Sequence, residues 1–211
     1  LAAKLEEKGS LENGQVFSLN LANQTRQYVA NLPAHHTHTV EQLLSHTGCV
    51  AHYDTNPSIP NQTTHYATAA AAVANIRNTG LVNGCTPGSN SSYSTAGFSF
   101  IGAALEGATG KSINSLLDTE LFKAHNLNAM RVQFAGNSLV ADYERAVPYN
   151  DNNTATSYSD NSWKVLGGGI ETSAYELTRF GNKVLNGEIV SAATRDNRLW
   201  QAVNGATTTG L

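Results

Sequence analysis

Apolar residues recur every three and four positions along several stretches of this chain, and a capping or stopping residue bounds most of them. Phe98, Ile101, Ala104, Leu105 and Ala108 predict a helix over 96–109 that stops at Gly110. Ile113, Leu116, Leu117, Leu121 and Phe122 mark the next helix behind Ser112, so the two read as a helical hairpin. Val40, Leu43 and Leu44 form a shorter face, with Thr39 and Gln42 spaced as a capping box. A second such box, Ser173 with Glu176, precedes the face of Leu177, Phe180, Val184 and Leu185, which ends at Gly187. Ala67 and Ala69 to Ala72 favour a helix over 66–77 behind Thr64. Residues 1–8, 21–30 and 191–203 are further helix candidates, the first stopped by Gly9.

The helical period is lost over 131–160. One or two short strands fit Val140 to Pro148, with Arg145 to Tyr149 as one candidate, and Asn150 to Asn153 is a turn. The expected fold class is therefore mostly α with a few short strands. Residues 1–36 read as the end of a core helix and a connector, and 37–130 as a helical lobe. Residues 131–170 read as a strand and loop segment with a glycine-rich turn, and 171–211 as helices that return to the lobe.

Chemistry enters at three places. Tyr93-Ser94-Thr95 sits where the turn-rich stretch 83–92 runs into the 96–109 helix, a junction that can hold side chains over a cleft. Taken alone, the triplet also reads as a half-buried aromatic followed by a helix cap. Gly167-Gly168-Gly169 permits a close backbone approach or is a plain flexible loop. His35, His36 and His38 invite a metal reading. Adjacent histidines on an extended stretch point to opposite sides, however, and no other ligand cluster is near in sequence, so a solvated loop is the expectation, with no metal site and no cofactor.

Three motifs in order carry a resemblance: Leu43-Leu44-Ser45-His46-Thr47-Gly48, then Tyr93-Ser94-Thr95, then Gly168-Gly169-Ile170 followed by Thr172-Ser173-Ala174 and Leu177 to Phe180. Together they resemble the serine β-lactamase and penicillin-binding-protein superfamily, in the class C-like branch that includes DD-peptidases and esterases. The resemblance covers nearly the whole chain. It implies a parent α/β fold, in which a helical lobe adjoins an antiparallel sheet sandwiched by helices, and a serine acyl hydrolase working through an acyl-enzyme. It implies Tyr93 as general base and acid, Ser94, Thr95, Gly168 and Gly169 as substrate-lining residues, and His46 as a structural tie between a helix end and the following loop. Thr95 stands where β-lactamases of this branch carry an asparagine. A hydroxyl is a poorer match to a substrate amide, which moves weight from a β-lactamase towards an esterase or a DD-peptidase-like amidase.

The chain departs from the pattern at two points. No Ser or Thr stands three positions before any of Lys4, Lys8, Lys111, Lys123, Lys164 or Lys183, so the nucleophile motif Ser-x-x-Lys is missing. The late Lys/His-Ser/Thr-Gly motif is missing too, and Thr207-Thr208-Thr209-Gly210 does not replace it. Leu1 to Gly9 looks like the end of the helix that carries the nucleophile. The chain thus reads as the middle of a longer enzyme, inactive alone. The competing reading is a non-catalytic helical fragment or inactive homologue that acts as a binding module.

Composition narrows the rest. With 211 residues the chain can bury a real core, and a net charge of −3 gives no basic footprint for nucleic acid. No apolar run is long enough to span a membrane. The expected partner is a small-molecule, peptide or ester substrate. Only 14% of residues are charged, a weakly charged polar surface that points to a periplasmic or secreted setting. There Cys49 and Cys85, each beside a motif, are candidates for a disulfide; the alternative is two free, partly buried thiols.

Overall fold

The computed structural model describes residues 1–53, 64–133 and 145–201. Its organising element is helix α4, Thr95–Thr109. Ser94 caps it by accepting the Gly97 N–H, and Gly110 ends it with φ 69°. Twelve of its fifteen residues are buried, so it is wrapped on all sides rather than laid on a surface. Around it stand α2 (Val40–Leu44), α3 (Ala69–Ala74), α5 (Ile113–Leu116) and the 3-10 turns Thr25–Gln27 and Ser162–Gly167. Phe100, Ile101, Ala104 and Leu105 lie at the centre of this core. The chain runs close against α4 at Gly107, where a Cβ would stand 1.8 Å from the Tyr28 carbonyl oxygen.

Helix α1 (Ala2–Lys8) contributes Leu5 to the same core and ends on Gly9 at φ 62°. Its Lys4 is buried, with its ammonium donating to the Glu120 carbonyl, to Glu12 Oε1 at 3.2 Å and to His125 Nε2 at 3.0 Å. Helix α5 continues as the π-helix Leu117–Lys123, from which Glu120 accepts the Glu12 N–H at 2.9 Å. Strands β1 (Arg131–Val132) and β2 (Ile170–Glu171) pair antiparallel, Arg131 opposite Glu171. Helix α6 (Ala174–Leu185) and the short α7 (Ala192–Thr194) follow, and Ile189 and Val190 between them join the core. The chain is mostly helical with one small antiparallel sheet among the described residues.

Buried carboxylates do much of the joining. The side chain of Glu106 accepts N–H bonds from Ala69 at 2.9 Å, Ala70 at 2.8 Å and Ile113 at 2.8 Å, so one carboxylate caps the starts of both α3 and α5. Cys49 and Cys85 are joined by a disulfide, with Cα atoms 5.8 Å apart. Closing that loop stabilises the fold by about 3–4 kcal/mol on the chain-entropy model.

Several sequence expectations are corrected. The helix over 21–30 is only the turn Thr25–Gln27, and the one over 66–77 is only Ala69–Ala74, capped by Thr68 rather than Thr64. The last helix divides into α7 and the π-turn Arg195–Leu199. Arg145 to Tyr149 is not a strand; Tyr149 makes an isolated bridge to Ala155. The remainder of the strand candidate, over 140–144, and Thr207 to Gly210 lie outside the described residues.

The face of α6 is only partly used. Phe180 and Val184 pack on the core, while Leu177 and Leu185 are exposed. The helix is turned so that Glu176 is buried, accepting the Ala129 N–H at 3.3 Å and pairing with Arg179 at 2.6 Å.

The histidine loop is solvated only in part: His35 is exposed, while His36 and His38 are fully buried against Phe100. The Arg77 carbonyl lies 2.7 Å from His36 Nε2 and can only accept, so that nitrogen carries the proton. His36 Nδ1 then accepts from His38 Nε2 at 3.0 Å, and His38 Nδ1 accepts the Thr25 hydroxyl at 3.0 Å. No group of three or more potential metal ligands is found among the described residues.

Candidate active site

Tyr93 precedes the N-cap of α4, and its side chain stands out of the fold, 63% exposed. The backbone beneath it is pinned from the segment that follows α2. The Ser94 N–H donates to His46 Nδ1 at 3.2 Å, and the Thr95 N–H donates to His52 Nδ1 at 3.2 Å. Both imidazoles also bear on the phenol, with ring centroids 4.6 Å from Tyr93 for His46 and 5.1 Å for His52. His46 takes the left-handed backbone, φ 56°, just past α2, and its carbonyl accepts the Ser92 N–H at 2.7 Å. It thus ties the end of α2 to the loop that delivers Tyr93. Burial, and then His52 beside it, hold the His46 imidazole below its ordinary pKa, which keeps its Nδ1 an acceptor.

The disulfide braces the same wall. Cys49, also left-handed at φ 59°, binds the Val82 N–H through its carbonyl at 2.9 Å, and the neighbouring Thr47 carbonyl takes the Gly88 N–H at 2.9 Å. The loop 83–92 is therefore laced to the stretch 46–49 over its length.

Ser94 and Thr95 do not line an open surface as the resemblance implied. The Ser94 hydroxyl accepts the Gly97 N–H at 3.0 Å and donates to the Ala51 carbonyl at 3.2 Å, because the first turn of a helix has unpaired N–H groups that need a partner. Thr95 is buried, and its methyl and carbonyl face Gly167, where a Cβ would lie 2.9 Å and 3.0 Å from them. The glycine segment thus packs on the first turn of α4. Gly169 is also inside: its N–H donates to Val165 and its carbonyl accepts from Gln133 at 2.7 Å. Gly168 alone of the predicted pair is exposed, with φ 127°.

Sequence reasoning missed His52 and Tyr53. The Tyr53 ring lies 4.2 Å from His52 and meets Trp163 edge-on at 5.4 Å, which links the exposed phenol to the buried Trp163. No local pattern marks His52; a histidine shortly after the His46 motif gives no period and no cap. Beyond Trp163, Lys164 lies on the wall of a polar cavity of about 800 Å³, shared with Arg145, Tyr158, Asp160 and Glu171. Glu171 there is bound by Arg145 at 2.8 Å and by Arg131. An exposed phenol on a backbone pinned by two imidazoles can reach a substrate as a proton-transfer group.

A family model described as Beta-lactamase matches residues 1–211. No curated protein matches the sequence. Among solved structures, a D-stereospecific amidohydrolase from Streptomyces sp. superposes with a TM-score of 0.75 at 18% identity, covering 100% of this chain and 66% of that one. A penicillin binding protein from Bacillus halodurans gives 0.73 at 17%, covering 97% and 62%. The D-amino acid amidase from Ochrobactrum anthropi SV3 gives 0.66 at 18%, covering 90% and 53%. At these identities the likeness is one of fold, and the chain spans between about half and two thirds of the length of these structures.

Proposed function

Because this chain belongs to the beta-lactamase family, we propose that it supplies the Tyr93 wall of the active site of a serine acyl hydrolase that works through an acyl-enzyme. The observation that carries the reading is the contrast within one motif: Tyr93 is left exposed while Ser94 and Thr95 are folded into the helix start. In the reaction, a serine hydroxyl attacks the acyl carbon while its proton passes to the relay shared by Tyr93 and the motif lysine, in which whichever group is unprotonated accepts it. The proton then goes to the departing amine or alcohol, and water cleaves the acyl-enzyme by the reverse relay. The serine and its lysine belong, in this reading, to sequence beyond these 211 residues, since no Ser-x-x-Lys occurs within them.

The substrate is an amide or ester rather than a β-lactam. Thr95 carries no amide and its side chain is buried, and two of the structural neighbours are named as a D-stereospecific amidohydrolase and a D-amino acid amidase. The Cys49–Cys85 disulfide supports an oxidising, exported setting.

The test is covalent. The protein, expressed with the sequence that flanks these residues in its gene, is treated with a fluorophosphonate and with fluorescent penicillin, then offered D- and L-amino acid amides. The reading expects a labelled serine outside residues 1–211 and turnover of amides above penicillin hydrolysis. A label on a serine within the chain would overturn it. No label and no turnover would favour the second reading, a non-catalytic binding module, which the missing Ser-x-x-Lys supports.

A further inference from the structure

We propose that His52 is a positioning residue for Tyr93: one imidazole bears on the phenol ring and, through Nδ1, holds the backbone turn from which that phenol projects. The inference rests on the reading of Tyr93 as the proton-transfer group; the geometry itself does not.

An exposed phenol poses a mechanical problem. Tyr93 is 63% exposed, so little protein packs on its ring, yet a proton-transfer group must sit within hydrogen-bond reach of the reacting oxygen. A misplacement of about 1 Å costs on the order of 100-fold in rate. The structure gives Tyr93 two ring neighbours among the described residues, His46 and His52, and each also takes a backbone N–H one or two residues further on. His46 holds Ser94 from the end of α2, and His52 holds Thr95, the first residue of α4.

His52 is itself anchored at both ends of its short segment. On one side, Cys49 is fixed by the disulfide, and the Ala51 carbonyl takes the Ser94 hydroxyl. On the other, the imidazole stacks on Tyr53, which meets the buried Trp163. The chain from Trp163 through Tyr53 and His52 therefore transmits the rigidity of the core to a side chain that leaves it.

The lone pair at Nδ1 is the chemical requirement. Accepting from Thr95 places the proton of a neutral His52 on Nε2. A packing role would need only a ring of this size. A positioning role needs an acceptor at Nδ1, and asparagine and glutamine separate the two. The Asn carbonyl oxygen reaches the Nδ1 position, whereas the Gln amide extends towards Nε2.

The experiment uses the complete protein with His52→Asn, His52→Gln, His52→Phe and Tyr93→Phe. His52→Gln and His52→Phe should lower kcat about 10- to 100-fold with KM changed less than about threefold. His52→Asn should stay within about fivefold of wild type. Hydrogen exchange at the Thr95 amide, read by NMR, should speed up at least about tenfold in His52→Gln and stay slow in His52→Asn. Should His52→Phe fail to fold, the Asn and Gln pair decides alone. Equal kcat and equal Thr95 exchange in that pair would overturn the proposal. If Tyr93→Phe keeps full turnover, the reading of Tyr93 falls instead, and Thr95 exchange still decides whether His52 holds the turn.

Discussion

His36 Nδ1 lies 3.0 Å from His38 Nε2, and both rings are buried, in the middle of a hydrogen-bonded chain from the Thr25 hydroxyl to the Arg77 carbonyl. Every nitrogen in that chain is satisfied when both rings are neutral. Burial, and then the neighbouring His36, push His38 from 6.5 down to about 3, and burial lowers His36 as well.

The sign of the pH effect follows. The unfolded chain takes up these protons near 6.5 and the folded chain does not until far lower, so stability is complete above 6.5 and falls as pH drops towards 3. The slope is up to about 1.4 kcal/mol per pH unit for each histidine held neutral. His46 and His125, also lowered by burial, add to it. Carboxylates such as Glu12, lowered chiefly by Lys8, contribute only around and below 4.5. Urea unfolding between pH 7 and 5 therefore reads the histidines, and His38→Gln should flatten the slope. An unchanged slope in that variant would count against the relay.

Glu106 caps two helices with one carboxylate. Glu106→Gln keeps the shape but turns an amide N–H towards the backbone donors. A loss of about 2–4 kcal/mol is expected in denaturant unfolding, from charge-assisted bonds removed and donors left unpaired. A loss under about 0.5 kcal/mol would mean that water replaces the carboxylate.

Two helical glycines should answer oppositely to the same change. Gly107→Ala drives a methyl into the Tyr28 carbonyl and should cost more than about 3 kcal/mol or prevent folding. Gly181→Ala on α6 meets nothing within 4 Å and should stabilise by about 0.5–1 kcal/mol. Melting temperatures of the two variants provide the comparison.

Tyr93→Phe removes the phenol from a side chain that is 63% exposed, so its effect on stability should be small. In the complete enzyme kcat/KM should fall about 10²- to 10⁴-fold on the preferred amide or ester. Thr95→Asn has to fit a buried site against Gly167 and should lower stability by about 1–3 kcal/mol. Penicillin turnover gained without loss of stability would restore Thr95 as a substrate contact.

What could be read from the sequence was local. Thr39 with Gln42, Ser94 before α4 and Ser112 before α5 cap helices because the donor and acceptor lie within one turn of chain. The order of the His46, Tyr93 and glycine motifs indicated the family. What escaped depends on partners distant in sequence. Glu106 looks like a solvated helix face, and Glu176 like the partner of Ser173 alone, until Ala69 and Ala129 are brought to them. The histidine loop reads as polar until Thr25 and Arg77 close around it. His52 is silent for the same reason: its partners Thr95 and Tyr93 lie across the disulfide-braced loop.

His46 and Cys49 both hold a left-handed backbone that glycine adopts freely and a side chain resists by about 1–2 kcal/mol. At position 46 the backbone alone would favour glycine, whereas at position 49 glycine would forfeit the disulfide. The chain keeps an imidazole at position 46, so a stability screen of this segment would rank His46→Gly as mild while it removes the acceptor under Ser94. Engineering for robustness would therefore erode this wall before any melting curve registered the damage.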